Sequence, residues 1–88
     1  MTRSRVVVHG RVQGVFFRDS VRRRAESRGL VGWVTNRPDG AVEAVFEGDP
    51  ESVASLVEYC REGPRAAEVS EAEVFEEEPE GLTGFEIR

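Results

Sequence analysis

Eighty-eight residues, 39% apolar and 33% charged, suit one domain spanning 1–88, able to bury a core of its own with little stability to spare. No apolar run approaches transmembrane length, Met1–Arg5 leads into only three valines instead of a signal peptide, and the lone Cys60 permits no internal disulfide. These features exclude a membrane role and make a reducing cytoplasm the expected compartment.

The net charge of −5 conceals an asymmetry. Residues 1–37 hold nine arginines against Asp19 and Glu26, giving +7, whereas residues 38–88 hold three arginines against fifteen acids, giving −12. The basic half would draw a small polyanion, and the acidic half argues against wrapping nucleic acid.

Taken in order, Arg5-Val6-Val7-Val8-His9 reads as a strand, because three consecutive β-branched residues suit a well-covered pleat. His9-Gly10-Arg11-Val12-Gln13-Gly14-Val15-Phe16-Phe17-Arg18 then joins it to a segment of helical spacing. A strand-to-helix junction of this kind can aim successive N–H groups, and the positive end of the helix, into one concavity. Gly10 and Gly14 would let a ligand approach the backbone, and Arg18 offers a planar fork of donors to phosphate or carboxylate oxygens. The plainer reading is a glycine-bearing connection whose arginine faces water.

Phe17, Val21 and Ala25 recur every four residues among Arg22, Arg23, Arg24 and Arg28, an amphipathic helix that Gly29 stops. Leu30–Arg37 and Ala41–Glu47 read as two strands joined by the turn Pro38-Asp39-Gly40. In the second, Val42, Ala44 and Phe46 alternate with Glu43, Val45 and Glu47, which predicts one buried face. Asp49 caps a second helix with Pro50 at its first position, and Val53, Leu56, Val57 and Cys60 form its core stripe before Gly63-Pro64. Glu68–Glu78 reads as an edge strand guarded by charge, and Phe85–Arg88 as a short closing strand with Phe85 and Ile87 on one face. The acidic run Glu76–Glu80 reads as a solvated tail.

This order, β-α-β-β-α-β plus a short terminal strand, predicts the α+β class. Right-handed crossovers give a ferredoxin-like α/β sandwich, an antiparallel sheet with two helices on one face. Such folds host many functions and decide none.

Two stretches carry a family resemblance. Val8-x-Gly10-x-Val12-Gln13-Gly14-Val15-x-Phe17-Arg18 resembles the first signature of the acylphosphatases. Gly32-Trp33-Val34-Thr35-Asn36-x-x-x-Gly40-x-Val42, with Gly48 six residues later, resembles their second. Thr35 departs from the pattern, standing where family members more often carry a basic or long polar side chain. The resemblance implies a cytoplasmic hydrolase that splits the carboxyl–phosphate bond of acyl phosphates without metal or cofactor. By position it implies that Arg18 binds phosphate, that Asn36 holds the attacking water, and that the backbone of Gln13, Gly14, Val15, Phe16 and Phe17 completes the cradle.

The chemistry is consistent with those residues. Phosphoryl transfer leaves the protein mainly positioning and charge stabilisation to supply. The leaving carboxylate has a conjugate acid of pKa about 4, by analogy with Asp and Glu, and needs no general acid. A single His and a single Cys leave a transition metal short of ligands. His9 reads as an ordinary strand-end residue, and Cys60 to Arg65 is one residue too short for a cysteine-phosphatase loop. The expected partners are a small acyl phosphate and, as competing anions, inorganic phosphate or sulfate. No nucleic acid or membrane partner is expected, and a monomer is. The alternative is a non-catalytic ferredoxin-like module that binds a small anion in the cradle or RNA on the open sheet face. Stacking aromatics on adjacent central strands, which RNA binding would use, are missing from the sequence pattern.

Overall fold

The computed structural model describes residues 1–88. Its elements are β1 (Thr2–Arg11), α1 (Phe17–Ser27), β2 (Val31–Asn36), β3 (Val42–Gly48), α2 (Pro50–Glu62), β4 (Glu68–Glu77) and β5 (Phe85–Ile87). They form one sheet in the order β4-β1-β3-β2-β5, with both helices packed against it. β1 pairs antiparallel with β3 and β4, and β2 pairs antiparallel with β3.

The expected antiparallel sheet needs one correction, because β5 runs parallel to β2, with Gly32 opposite Phe85 and Val34 opposite Ile87. The cause is the route of the chain. β4 ends at one edge of the sheet, and residues 78–84 must reach the other edge, four strand spacings or roughly 19 Å away. Seven extended residues span up to about 25 Å, enough for one direct crossing. A direct crossing reverses the chain, so β5 enters antiparallel to β4 and hence parallel to β2.

The helices form where the pattern placed them. Phe17, Val21 and Ala25 of α1 are buried, as are Val53, Leu56, Val57 and Cys60 of α2. They meet Val6, Val8, Val34, Val42, Ala44 and Phe46 on one face of the sheet. α1 ends in a Schellman motif, the Gly29 N–H donating to Glu26 O and the Leu30 N–H to Ala25 O. α2 starts with the Asp49 carboxylate accepting from the Ser52 N–H at 3.2 Å.

The opposite face of the sheet departs from expectation in two ways. Val45 and Glu47, the outward partners in the β3 alternation, are both 0% exposed. The acidic run is also not a solvated tail. Arg3 donates to Glu77 at 2.9 Å and to Glu47 at 2.8 Å, and Arg5 donates to Glu77 at 2.8 Å, while on the helix side of the sheet the Ser4 hydroxyl donates to Glu76 at 2.9 Å. The crossing segment then closes over Glu47, whose carboxylate accepts the N–H groups of Glu80, Gly81 and Leu82 at 2.8, 3.1 and 3.2 Å. Burial pushes the Glu47 carboxyl up. The Glu80 N–H, the Arg3 guanidinium and the remaining two N–H groups outweigh that and hold it below the usual carboxylate range.

Candidate active site

β1 ends at Arg11, and the connection to α1 is fastened at three points. Val12 and Val15 are pegged into the core, 1% and 8% exposed. Between them the Gln13 side-chain amide donates to the carbonyls of Arg37 and Ala41, both at 2.9 Å. Those two carbonyls flank the β2–β3 turn, so Gln13 ties the loop directly to the hairpin that carries Asn36. The turn itself is held by Asp39, whose carboxylate accepts the Ala41 N–H at 3.0 Å and pairs with Arg37 at 3.1 Å. That N–H bond, ahead of the Arg37 charge, keeps the Asp39 carboxyl below its ordinary range.

With its ends pinned, the loop takes a backbone path that favours glycine. Gly14 has φ +73° and Phe16 φ +61°. Gly14 costs nothing there, but Phe16 in the left-handed region stores strain on the order of 1 kcal/mol. Phe16 is also the residue preceding the first turn of α1, and its side chain caps nothing. The N–H groups of residues 14–18 accordingly have no acceptor within the protein. Gly10 does not belong to this cradle. It sits at a bulge where β1 meets β4, and a Cβ there would strike the backbone of Glu68. Its lack of a side chain serves strand pairing instead of ligand approach.

Arg18 lies in the first turn of α1, half-buried, and makes no ion pair or hydrogen bond with the protein. A cation at this positive end of a helix is unfavourable by a few tenths of a kcal/mol to about 1 kcal/mol, which an anion in the cradle would reverse. The adjacent Asp19 does not neutralise it, because its carboxylate is taken by Arg22 at 3.3 Å and Arg23 at 3.1 Å. Asn36, the last residue of β2, places a buried side-chain oxygen, Oδ1, with no hydrogen-bond partner. Such an atom is costly in a core and serves well in a site that supplies a donor.

These groups share one cleft of about 310 Å³, lined by Val12, Gly14, Phe16, Phe17, Arg18, Asp19, Asn36 and Ile87. Of the residues assigned from sequence, Gly14, Phe16, Phe17, Arg18 and Asn36 line it. Val15 points into the core, and Gln13 turns its side chain to the hairpin. Ile87 was missed because its strand reaches the cleft only through the parallel pairing of β5. Thr35, the departure from the signature, is not in the cleft. It lies on the other face of β2, where its hydroxyl donates to the Arg88 carbonyl at 3.0 Å. Cys60 is equally remote, and burial pushes its thiol up to about 12, which leaves it un-ionised and unreactive.

Because Gln13 is the only side-chain tie between loop and hairpin, Gln13→Ala is expected to lower kcat several-fold while costing only about 1 kcal/mol of stability. Steady-state kinetics with urea unfolding checks this. A kcat equal to the parent's would show that the tie does not set the position of Asn36.

A small α+β sandwich whose first loop and second strand converge on an uncompensated arginine is built to receive an anion. Comparison with known proteins gives the family. The acylphosphatase family model matches residues 4–87. An acylphosphatase of Rubrobacter xylanophilus is 61% identical over 88 residues, covering 98% of this chain and 79% of that one. One of Haloarcula marismortui is 53% identical over 87 residues, covering 99% and 96%. The crystal structure of an acylphosphatase from Bacillus subtilis superposes with a TM-score of 0.95 at 42% identity, covering 100% of this chain and 99% of that one. The chain belongs to the acylphosphatase family.

Proposed function

We propose that the cleft hydrolyses the carboxyl–phosphate bond of acyl phosphates to a carboxylate and inorganic phosphate, with no metal or cofactor. One observation carries the reading: Arg18, an arginine without a counter-ion, and Asn36, whose buried amide oxygen has no donor, line the same cleft. In this mechanism the N–H groups of residues 14–18 and the Arg18 fork hold the phosphoryl oxygens as charge redistributes in the transition state. Asn36 Oδ1 accepts a hydrogen bond from the attacking water and aims it at phosphorus. A neutral amide is too weak a base to take the proton, so a phosphoryl oxygen of the substrate receives it. The P–O bond to the acyl oxygen breaks, and the carboxylate leaves without protonation because its conjugate acid is strong.

No group of three or more His, Cys, Asp or Glu side chains is arranged to hold a metal ion, and the only acid lining the cleft, Asp19, is engaged by two arginines. This supports catalysis by position and charge alone. The non-catalytic alternatives have less behind them. An anion binder would not use the unpartnered oxygen of Asn36. For RNA, the central strands β1 and β3 carry Arg3, Arg5, Glu43 and Glu47 on the face away from the helices, and Arg3 and Glu47 are buried there beneath the crossing segment. The two aromatics on that face each carry a guanidinium over the ring, Phe75 that of Arg5 at 4.4 Å and Trp33 that of Arg88 at 5.0 Å. No helix is long and apolar enough to cross a membrane. The reading is completed by residues 1–88 acting as one monomeric, cytoplasmic domain on a small-molecule substrate.

The test is release of phosphate from acetyl phosphate in excess EDTA, with inorganic phosphate and sulfate as inhibitors. Turnover is expected to be unchanged by the chelator, and both anions to compete with substrate. Phosphate at ten times its Kd is expected to stabilise the fold by about 1.4 kcal/mol, or roughly 6–11 °C in Tm for a domain of this size. Loss of turnover in EDTA, restored by magnesium or zinc, would overturn the mechanism. A Tm indifferent to phosphate would remove the cradle from it.

A further inference from the structure

We propose that Thr35 is a positioning residue for Asn36: its hydroxyl fastens Arg88 against β2 and so fixes the end of the strand from which Asn36 aims the attacking water. This rests on the reading of Asn36 as the residue that holds that water. It gives a role to the position at which the chain departs from the family signature.

Asn36 carries its amide at the last position of β2, and no hydrogen bond to the protein fixes Oδ1. Its aim is therefore set by the backbone beneath it. One edge of that backbone is braced by β3, with Val42 opposite Asn36, and the chain just beyond is held by Gln13 at the Arg37 carbonyl. The other edge, towards β5, is thinner. β5 pairs only with Gly32, Trp33 and Val34, so the ladder stops short of Thr35 and Asn36.

Arg88 carries the bracing past that point. Its N–H donates to the Val34 carbonyl at 2.8 Å, and its guanidinium stacks over the Trp33 ring at 5.0 Å. A parallel ladder would continue with the Asn36 N–H donating to the Arg88 carbonyl, because its bonds recur at even spacing. That bond is not made. The carbonyl is taken instead by the Thr35 hydroxyl, which donates to it at 3.0 Å and lies 3.4 Å from the Asn36 carbonyl oxygen. The tie suits a threonine, whose β-branched side chain has few rotamers and whose short reach keeps the hydroxyl on the main chain. Thr35 and Asn36 point to opposite faces of β2, so the hydroxyl touches neither cleft nor substrate and acts only through the backbone.

The experiment measures kcat and KM for acetyl phosphate, and phosphate Kd by calorimetry, in the parent, Thr35→Val and Thr35→Ser. Valine keeps the branched shape and suits a strand, so it removes the hydroxyl and little else. A misplacement of about 1 Å can cost roughly a hundredfold in rate, but here β3 and Gln13 still hold Asn36. Thr35→Val is therefore expected to lower kcat about three- to tenfold. KM and phosphate Kd should stay within about twofold of the parent, because the cradle and Arg18 are untouched. Thr35→Ser, which keeps the donor, should retain most of the parent kcat. Nuclear magnetic resonance relaxation should show the Asn36 backbone amide more mobile in Thr35→Val but not in Thr35→Ser. A parent-like kcat in Thr35→Val, phosphate affinity that falls in step with kcat, or a serine variant as slow as the valine one would each overturn the proposal while leaving acyl phosphate hydrolysis intact. Failure of the parent to turn over acetyl phosphate would overturn the hydrolase reading, and this role for Thr35 with it. An Asn36 amide equally rigid in all three proteins would overturn the positioning role whatever the rates.

Discussion

Asn36→Ala is expected to lower kcat by about a hundredfold or more while leaving phosphate affinity close to that of the parent. The separation follows from what each group can touch. In the proposed mechanism the phosphoryl oxygens are met by the N–H groups of the loop and by Arg18, whereas Asn36 acts through Oδ1, an acceptor that holds the water. Arg18→Ala should lose both turnover and phosphate binding. Arg18→Lys should resemble it, because a point charge does not reproduce a planar two-pronged grip. Asn36→Asp is the stricter test. A carboxylate is the better base, yet its charge would face the phosphoryl oxygens in a half-buried cleft. There repulsion outweighs the gain in basicity, so Asp should fail as Ala does. The measurements are kcat and calorimetric phosphate binding, after circular dichroism. Parent-like activity in Asn36→Asp, or loss of phosphate binding in Asn36→Ala as complete as in Arg18→Ala, would refute the role assigned to Asn36.

The largest effect on stability is expected at Glu47, far from the chemistry. Removing one partner of a buried ion pair costs roughly 3–5 kcal/mol, because the other charge is left without compensation. Glu47→Ala would also strip three N–H groups of the crossing segment of their common acceptor. In a domain of this size, whose whole stability is on the order of 5–10 kcal/mol, that approaches unfolding. Glu47→Gln keeps the volume but turns an NH2 group towards donors, so it too should destabilise substantially. The two proteins should converge in acid. The native carboxyl is held below the ordinary carboxylate range, so its contribution is complete above the unfolded value and is lost as pH falls through the lower native one. Asp39, also held low, lies outside this network and cancels in the difference, whereas Glu77 shares Arg3 with Glu47 and adds to the same acid-range change. Urea unfolding of parent and Glu47→Gln between pH 7 and pH 3 measures the gap. A gap that does not narrow, or one below about 1 kcal/mol at pH 7, would show that the latch is not what holds the segment down.

The readable parts of this chain were those in which local chemistry and tertiary need coincide. The stripe Phe17, Val21, Ala25, the cap at Asp49 and the turn at Asp39-Gly40 all form as their spacing indicates. Each depends on partners within a few residues, which a linear pattern records. Arg18 and Asn36 were legible for another reason: two spaced signatures marked them, and the cleft does contain both.

Glu47 shows where that legibility stops. In sequence it is one acid of an alternating strand, indistinguishable from Glu43, and alternation sends both to the open face. Only the crossing of residues 78–84, with Arg3 arriving from β1, makes one of them the most deeply buried charge in the protein. Gly10 and Gly14 look alike in the loop, yet one serves a bulge against β4 and the other the cradle. The sequence by itself determined the elements, their order and the helix-facing core, because periodicity and caps are short-range, and its two signatures marked Arg18 and Asn36. The tertiary structure alone decided that β5 runs parallel to β2, that Glu47 is buried, that Gln13 ties the loop to the hairpin, and that Ile87 joins Phe16 in lining the cleft. Those contacts join residues 24 to 74 positions apart, and no local pattern encodes which distant backbone will supply a given side chain with its partner.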